Sequence, residues 1–398
     1  MGFMKLLSTS LATLAVVNAG RLLTGSDAGA VVPGSYIVVM NDGVSNEVFQ
    51  NHRDWATTVH SRIARRKGGE SGPGKHFDIH GMKGYTASFD DPTAKEIASD
   101  PSVKYVEPDM VVNATANVVQ GNAPSWGLPR ISSKKPGATD YTYDSTAGEG
   151  IVVYGVDTGI DIKHSDFGGR AKWGTNTVDS DNTDGNGHGT HTASTMVGTK
   201  FGVAKKATVV AVKVLGADGG GTNSGVISGM EWAVKDAKSR GATGKSVMNM
   251  SLGGAFSRAM NDAAANVVKS GVFLSVAAGN DAEDASNSSP ASAPDVCTVA
   301  ASTSSDGSAS FTNFGSVVDV YAPGEGITAA YPGGGSKTLS GTSMAAPHVA
   351  GAAAYLMALE GVTADKACAR IVELAISSIS SAPSGTTKKL LFNGISAN

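Results

Sequence analysis

The 398-residue chain has little of several things that would fix its class at a glance. Its 32 Lys and Arg stand against 35 Asp and Glu, a net charge of −3, so it carries no nucleic-acid signature. The one short basic run, Arg62 to Lys67, sits inside a helical pattern and reads as a solvated face. Beyond the first twenty residues no apolar stretch of spanning length lacks polar interruption, which argues against a membrane anchor. No Gly-Lys-Ser/Thr follows the glycine run Gly219-Gly220-Gly221, which argues against a phosphate cradle. There are only two cysteines, Cys297 and Cys368, which are either two core thiols or one bridge.

What is present is an apolar fraction of 41% against 17% charged residues, enough to bury a large core. Lys5, the apolar run Leu6 to Val17 and the small residues Ala19 and Gly20 read as a secretory signal over 1–19. The run is too short to span a bilayer. A soluble, secreted, extracellular product is expected.

Two patterns follow. From about Gly34 to Val112 the order is strand, helix, hairpin, helix, strand: Ser35 to Met40 is β-rich, Trp55, Val59 and Ile63 recur at helical spacing after Val48, Tyr85 to Phe89 alternates, and Val103 to Val106 closes the set. Such an order builds a small split βαβ domain. Later, strands and helices alternate as in an α/β fold with a mostly parallel sheet. Ile151 to Val156, Thr208 to Leu215, Ser246 to Leu252 and Val272 to Ala277 are expected as central strands, with helices over Gly225 to Lys238 and Ala255 to Lys269. Ligands of such sheets collect beyond the carboxyl ends of strands, where Asp157 and Asn280 fall.

Four islands carry chemistry. Ser343, in Gly341-Thr342-Ser343-Met344-Ala345-Ala346-Pro347-His348, stands among small residues at the start of an apolar helix. Pro347 within its first turns would cost about 3 kcal/mol in an ordinary helix interior, so the backbone there has a special shape. A serine nucleophile needs a base and an oxyanion site. Asp157 in Val156-Asp157-Thr158-Gly159, His188 in Gly187-His188-Gly189-Thr190-His191 and Asn280 in Ala278-Gly279-Asn280 offer both. Alone, each is weak: a lone histidine is more often a core or surface residue, and an aspartate often just ends a strand. Together they follow one known order of the triad, Asp then His then Ser.

With these motifs the chain resembles the subtilases. Asn249-Met250-Ser251-Leu252-Gly253-Gly254 and Trp126-Gly127-Leu128-Pro129-Arg130-Ile131-Ser132 make it similar to the secreted fungal proteinase K group. The resemblance implies a serine endopeptidase of broad specificity acting through an acyl-enzyme. Asp157, His188 and Ser343 are its expected triad, Asn280 its oxyanion donor and His191 a structural neighbour. The small domain resembles a ferredoxin-like propeptide, residues 20–116, acting as folding template and intramolecular inhibitor, with a peptidase domain over 117–398. Peptide substrate is expected as an extended strand between Ser251-Leu252-Gly253-Gly254 and Gly219-Gly220-Gly221. Ala278 and Gly279 would line the primary pocket, where no motif places an acidic group, so aliphatic, aromatic or alanine side chains are expected and dibasic specificity is not.

The same resemblance pairs Cys297 with Cys368, puts Thr192 where the group has a free cysteine, and makes Asp319 with the carbonyls of Pro294 and Val296 a structural calcium site. Catalysis itself needs no cofactor. Protein or peptide substrates and the propeptide are the expected partners, without nucleic acid or membrane, and a monomer is expected. Asn287-Ser288-Ser289 and Asn113-Ala114-Thr115 are glycan acceptors by sequence, the latter leaving with the propeptide; Asn249 also fits but lies in a core strand. The alternative is a catalytically silent subtilase-like binding or adhesion protein, against which the four intact residues speak. Serine carboxyl peptidases, with glutamate in place of the histidine, are opposed by His188 and Asn280.

Overall fold

The computed structural model describes residues 21–23, 31–64, 72–110 and 117–395. The chain divides into two compact units, Met1–Asn113 and Ala114–Asn398. The expected signal, the junction at Ala116 and the acceptor Asn113 lie outside the described residues.

In the first unit the elements are β1 (Arg21–Leu22), β2 (Val31–Met40), α1 (Asn46–Ala64), β3 (Pro73–Ile79), β4 (Met82–Ser88), α2 (Asp91–Ala98) and β5 (Val103–Met110). The sheet order is β1-β5-β2-β4-β3. Sequence periodicity gives the succession strand, helix, hairpin, helix, strand, but not β1, a two-residue strand parallel to β5. Val38, Met40, Val59, Tyr85, Ile97 and Val106 form the core. Asp90 starts α2 by accepting Thr93 N at 3.0 Å, one of the helix's orphan donors.

The second unit is built on nine strands: β6 (Val152–Asp157), β7 (Ala171–Asn176), β8 (Thr208–Lys213), β9 (Ser246–Met250), β10 (Val272–Ala277), β11 (Cys297–Ser302), β12 (Val320–Pro323), β13 (Ile376–Ser377) and β14 (Lys389–Leu390). Their order is β13-β14-β12-β11-β10-β9-β6-β8-β7. All pairs are parallel except β13 with β14. Alternate residues feed two cores. Val153, Val209, Val247 and Phe273 face α3 (His188–Val197), α6 (Thr342–Glu360) and α7 (Ala364–Leu374). Tyr154, Val210, Met248 and Leu274 face α4 (Asn223–Ser239) and α5 (Arg258–Lys269).

Helix α6 is buried from Met344 to Met357, which explains why it is apolar on every side. The disulfide Cys297–Cys368 ties β11 to α7, with Cα atoms 5.7 Å apart. Since β6 comes first and the chain then builds on both of its sides, its carboxyl end is a switch point of the sheet.

Candidate active site

Asp157 is the last residue of β6 and is 1% exposed. Its backbone oxygen accepts Val214 N at 2.9 Å and Leu215 N at 3.2 Å, so the segment after β8 is spent on holding the strand end. Its carboxylate accepts Thr158 N and His188 Nδ1, both at 2.7 Å, on Oδ1. Thr192 Oγ1 donates to Oδ2 at 3.3 Å.

His188 opens α3, behind Gly187 at φ 96°, the left-handed region open to glycine. A Cβ on Gly187 would also lie 2.3 Å from the Tyr331 ring, so no other residue fits this entry. Burial disfavours the charged imidazole, but the charge and hydrogen bond of Asp157, helped by Asp184, outweigh it and hold its pKa above the usual value. His191 differs. Its Nε2 faces the carbonyls of Ile327 and Lys337, each at 3.1 Å, and burial pushes its pKa down to about 4. That environment suits a neutral structural histidine.

Ser343 is the second residue of α6. Pro347 lacks the N–H that would bond the carbonyl four residues back, so Ser343 O accepts Ser251 Oγ at 2.8 Å instead. In return the Ser343 hydroxyl donates to Ser251 O at 3.1 Å. Asn249 Nδ2 donates to Ser251 Oγ at 2.9 Å and fixes the pair from below. Asn249 itself is fully buried, as a core-strand residue should be.

Asn280 follows β10. Its Oδ1 accepts Thr342 N at 2.8 Å and Thr342 Oγ1 at 2.9 Å, which turns Nδ2 outward as a donor. A methyl built on Gly341 would stand 3.7 Å from Asn280 Nδ2, Asn280 Oδ1 and Ser343 N alike, so the amide group and Ser343 N are close neighbours. Beside them lies a cavity of about 470 Å³ walled by Leu252, Gly253, Gly254, Ala278, Gly279 and Ser343 among others. Gly254–Ala255 pair with Ser288–Ser289 and stiffen one wall.

Gly219, Gly220 and Gly221 form an exposed loop beyond β8, outside this cavity. Asp281 and Glu283, which no motif places there, do line it. They lie just beyond Ala278-Gly279-Asn280, where motif matching stops. Asp184 lies outside the four sequence motifs as well, although an aspartate shortly before a helix start is a familiar capping signal.

At the expected calcium site, Asp319 accepts Thr298 N at 2.8 Å and is half-buried. Desolvation raises its pKa to about 6. Among the described residues no basic side chain forms an ion pair with it, so a hard oxygen donor without a cation fits an ion there. The sulfurs of Cys297 and Cys368 lie near the carboxylate, but they are spent in the bridge and ligate nothing. Asn287 is exposed and stands on the rim of the cavity.

A parallel α/β sheet whose first strand ends in an Asp–His couple, with a serine at the head of its central helix, defines a serine peptidase of the subtilisin type. Residues 148–388 match the subtilase family and residues 35–115 the peptidase inhibitor I9 family, and the chain belongs to the subtilases, with an I9 propeptide. It is 85% identical over 397 residues to "Subtilisin-like serine protease Pen ch 13" of Penicillium rubens, covering 100% of both chains. Identity is 80% over 395 residues to "Subtilisin-like serine protease Pen c 1" of Penicillium citrinum, covering 99% of this chain and 100% of that one. A solved "cold adapted subtilisin-like serine proteinase" is 45% identical, with a TM-score of 0.64 over 67% of this chain and 97% of its own. No helix among the described residues is long and apolar enough to cross a membrane.

Proposed function

We propose that this peptidase is a secreted, monomeric endopeptidase of broad specificity, made as a self-inhibited zymogen and working through an acyl-enzyme. The observation that carries the reading is the 2.7 Å contact of Asp157 with His188, in a chain where Asn280 holds Thr342 directly beside Ser343. Ser343 Oγ turns from Ser251 O to His188 and attacks the scissile carbonyl. His188 takes the proton and returns it to the leaving amine; Asp157 keeps its tautomer and steadies the imidazolium. Asn280 Nδ2 and Ser343 N donate to the developing oxyanion. Water then cleaves the ester by the same path in reverse.

Main-chain pairing along Ser251-Leu252-Gly253-Gly254, and along Gly219-Gly220-Gly221 opposite, would bind many sequences alike. Ala278 and Gly279 leave room for an apolar side chain. Maturation would cut after Ala116, releasing residues 20–116, once the signal over 1–19 has gone. Asn287 would carry a glycan, at the mouth of the cavity.

Asp319 and the carbonyls of Pro294 and Val296 would hold calcium, which would brace the β11–β12 junction and take no part in the reaction. Chelation is expected to speed thermal inactivation of the mature enzyme; an unchanged half-life would remove the ion from this reading. The decisive test is a nitrophenyl ester, whose phenol should appear as a burst equal to the enzyme present and then at a steady rate. Release without a burst, at a rate unaffected by Ser343→Ala, would favour the silent binding protein.

A further inference from the structure

Asp184 belongs neither to the triad nor to the cleft, yet its buried carboxylate accepts five hydrogen bonds. Gly187 N at 2.8 Å and Asn186 N at 3.3 Å reach Oδ1 from the residues just before His188. Thr190 N at 2.8 Å and Thr190 Oγ1 at 2.6 Å reach Oδ2 from the first turn of α3. One carboxylate therefore closes the turn around His188 from both sides.

Asp184 Oδ1 also accepts Thr158 Oγ1 at 2.8 Å, and Thr158 directly follows Asp157. Thr158 Oγ1 in turn accepts Gly189 N at 2.9 Å. Strand end and helix start thus share a single acceptor. Hydrogen bonds to a charged acceptor are stronger than neutral ones, and buried here they are shielded from competition by water.

We propose that Asp184 is a positioning residue for the Asp157–His188 couple, fixing both halves in register and adding a second negative charge toward the imidazolium formed in proton transfer. The inference rests on the peptidase reading of His188. Other titratable groups around α3 do not supply that charge. His191, and His348 from α6, are held near 4 by burial and stay neutral. Asp166 is bonded to Ser194 at the far end of α3, Lys213 of β8 to the carbonyls of Asp181 and Thr183, and Lys337 lies over the Tyr331 ring.

Asp184→Asn keeps the shape and removes the charge and one acceptor. In matured enzyme, counted by phosphonate titration, kcat is expected to fall about 10- to 100-fold with KM nearly unchanged. The acid limb of kcat/KM should move to lower pH, because an imidazolium with one fewer negative neighbour loses its proton more readily. Thr158→Ala keeps the charge and cuts only the bridge, so kcat should fall about three- to tenfold with the acid limb in place. An unchanged kcat or an unmoved acid limb in Asp184→Asn overturns the proposal. If that variant does not accumulate, Thr158→Ala decides alone, and parental kcat would overturn it. Titration of the parent separates the two readings: without label on Ser343 the peptidase reading fails, whereas with label only the role of Asp184 is at stake.

Discussion

Ser343 shows how a missing donor shapes a reactive group. Pro347 withholds one N–H, the freed carbonyl takes Ser251 Oγ, and the nucleophile is thereby tied to the wall of its own cleft. The Asp157–His188 couple is legible as motifs, and the Cys297–Cys368 bridge follows from the family resemblance. Asp281 and Glu283 are not legible, because they lie in an exposed loop beyond Ala278-Gly279-Asn280, where neither periodicity nor a motif ties a side chain to the cavity. Both carboxylates are exposed and, among the described residues, form no salt bridge. Replacing them together, Asp281→Asn with Glu283→Gln, should lower kcat/KM for a substrate with lysine before the scissile bond about 2- to 10-fold relative to one with leucine. An unchanged ratio would show that the carboxylates do not feel that side chain.

Elements were read well where burial imposes a period and less well where the chain leaves the sheet. Val272–Ala277 is found as expected. The runs Thr208 to Leu215 and Ser246 to Leu252 stop short as strands, at Lys213 and Met250. Their apolar tails continue, but their backbone groups serve the site: Val214 and Leu215 bond Asp157 O, and Ser251 bonds Ser343. Helix α5 starts at Arg258 and not at Ala255, because Gly254–Ala255 pair with Ser288–Ser289 and Ser257 caps the helix through Met260 N. The bridge from β11 to α7 closes a separation of 71 residues. In the chain-entropy account this is worth about 4 kcal/mol. Cys297→Ser with Cys368→Ser, in enzyme blocked by phosphonate, should lower the urea midpoint accordingly; an equal midpoint would mean the bridge adds nothing.

At the scale of the whole molecule, the sequence announces two units through a change of period, from a split βαβ order to alternating strand and helix, and each is found compact. The I9 match over residues 35–115 and the first compact unit agree on the small domain's extent only coarsely, because neither its start nor its end is marked by a buried periodic run. Within the second unit, Asp157 meets His188, and Asn280 holds Thr342 beside Ser343, across a span of 187 residues from Asp157 to Ser343. The central claim is that they act as one unit, with His188 as the base for Ser343. It is tested most directly by the rate at which a fluorophosphonate modifies the mature enzyme as pH is varied. The expected label is on Ser343 alone. Because Asp157 and Asp184 hold the imidazole pKa above its ordinary value of about 6.5, the rate should be full in alkali and fall on acidification through a pKa above that value. A label on another residue, or a rate at Ser343 that does not change from alkaline to acid pH, would contradict it.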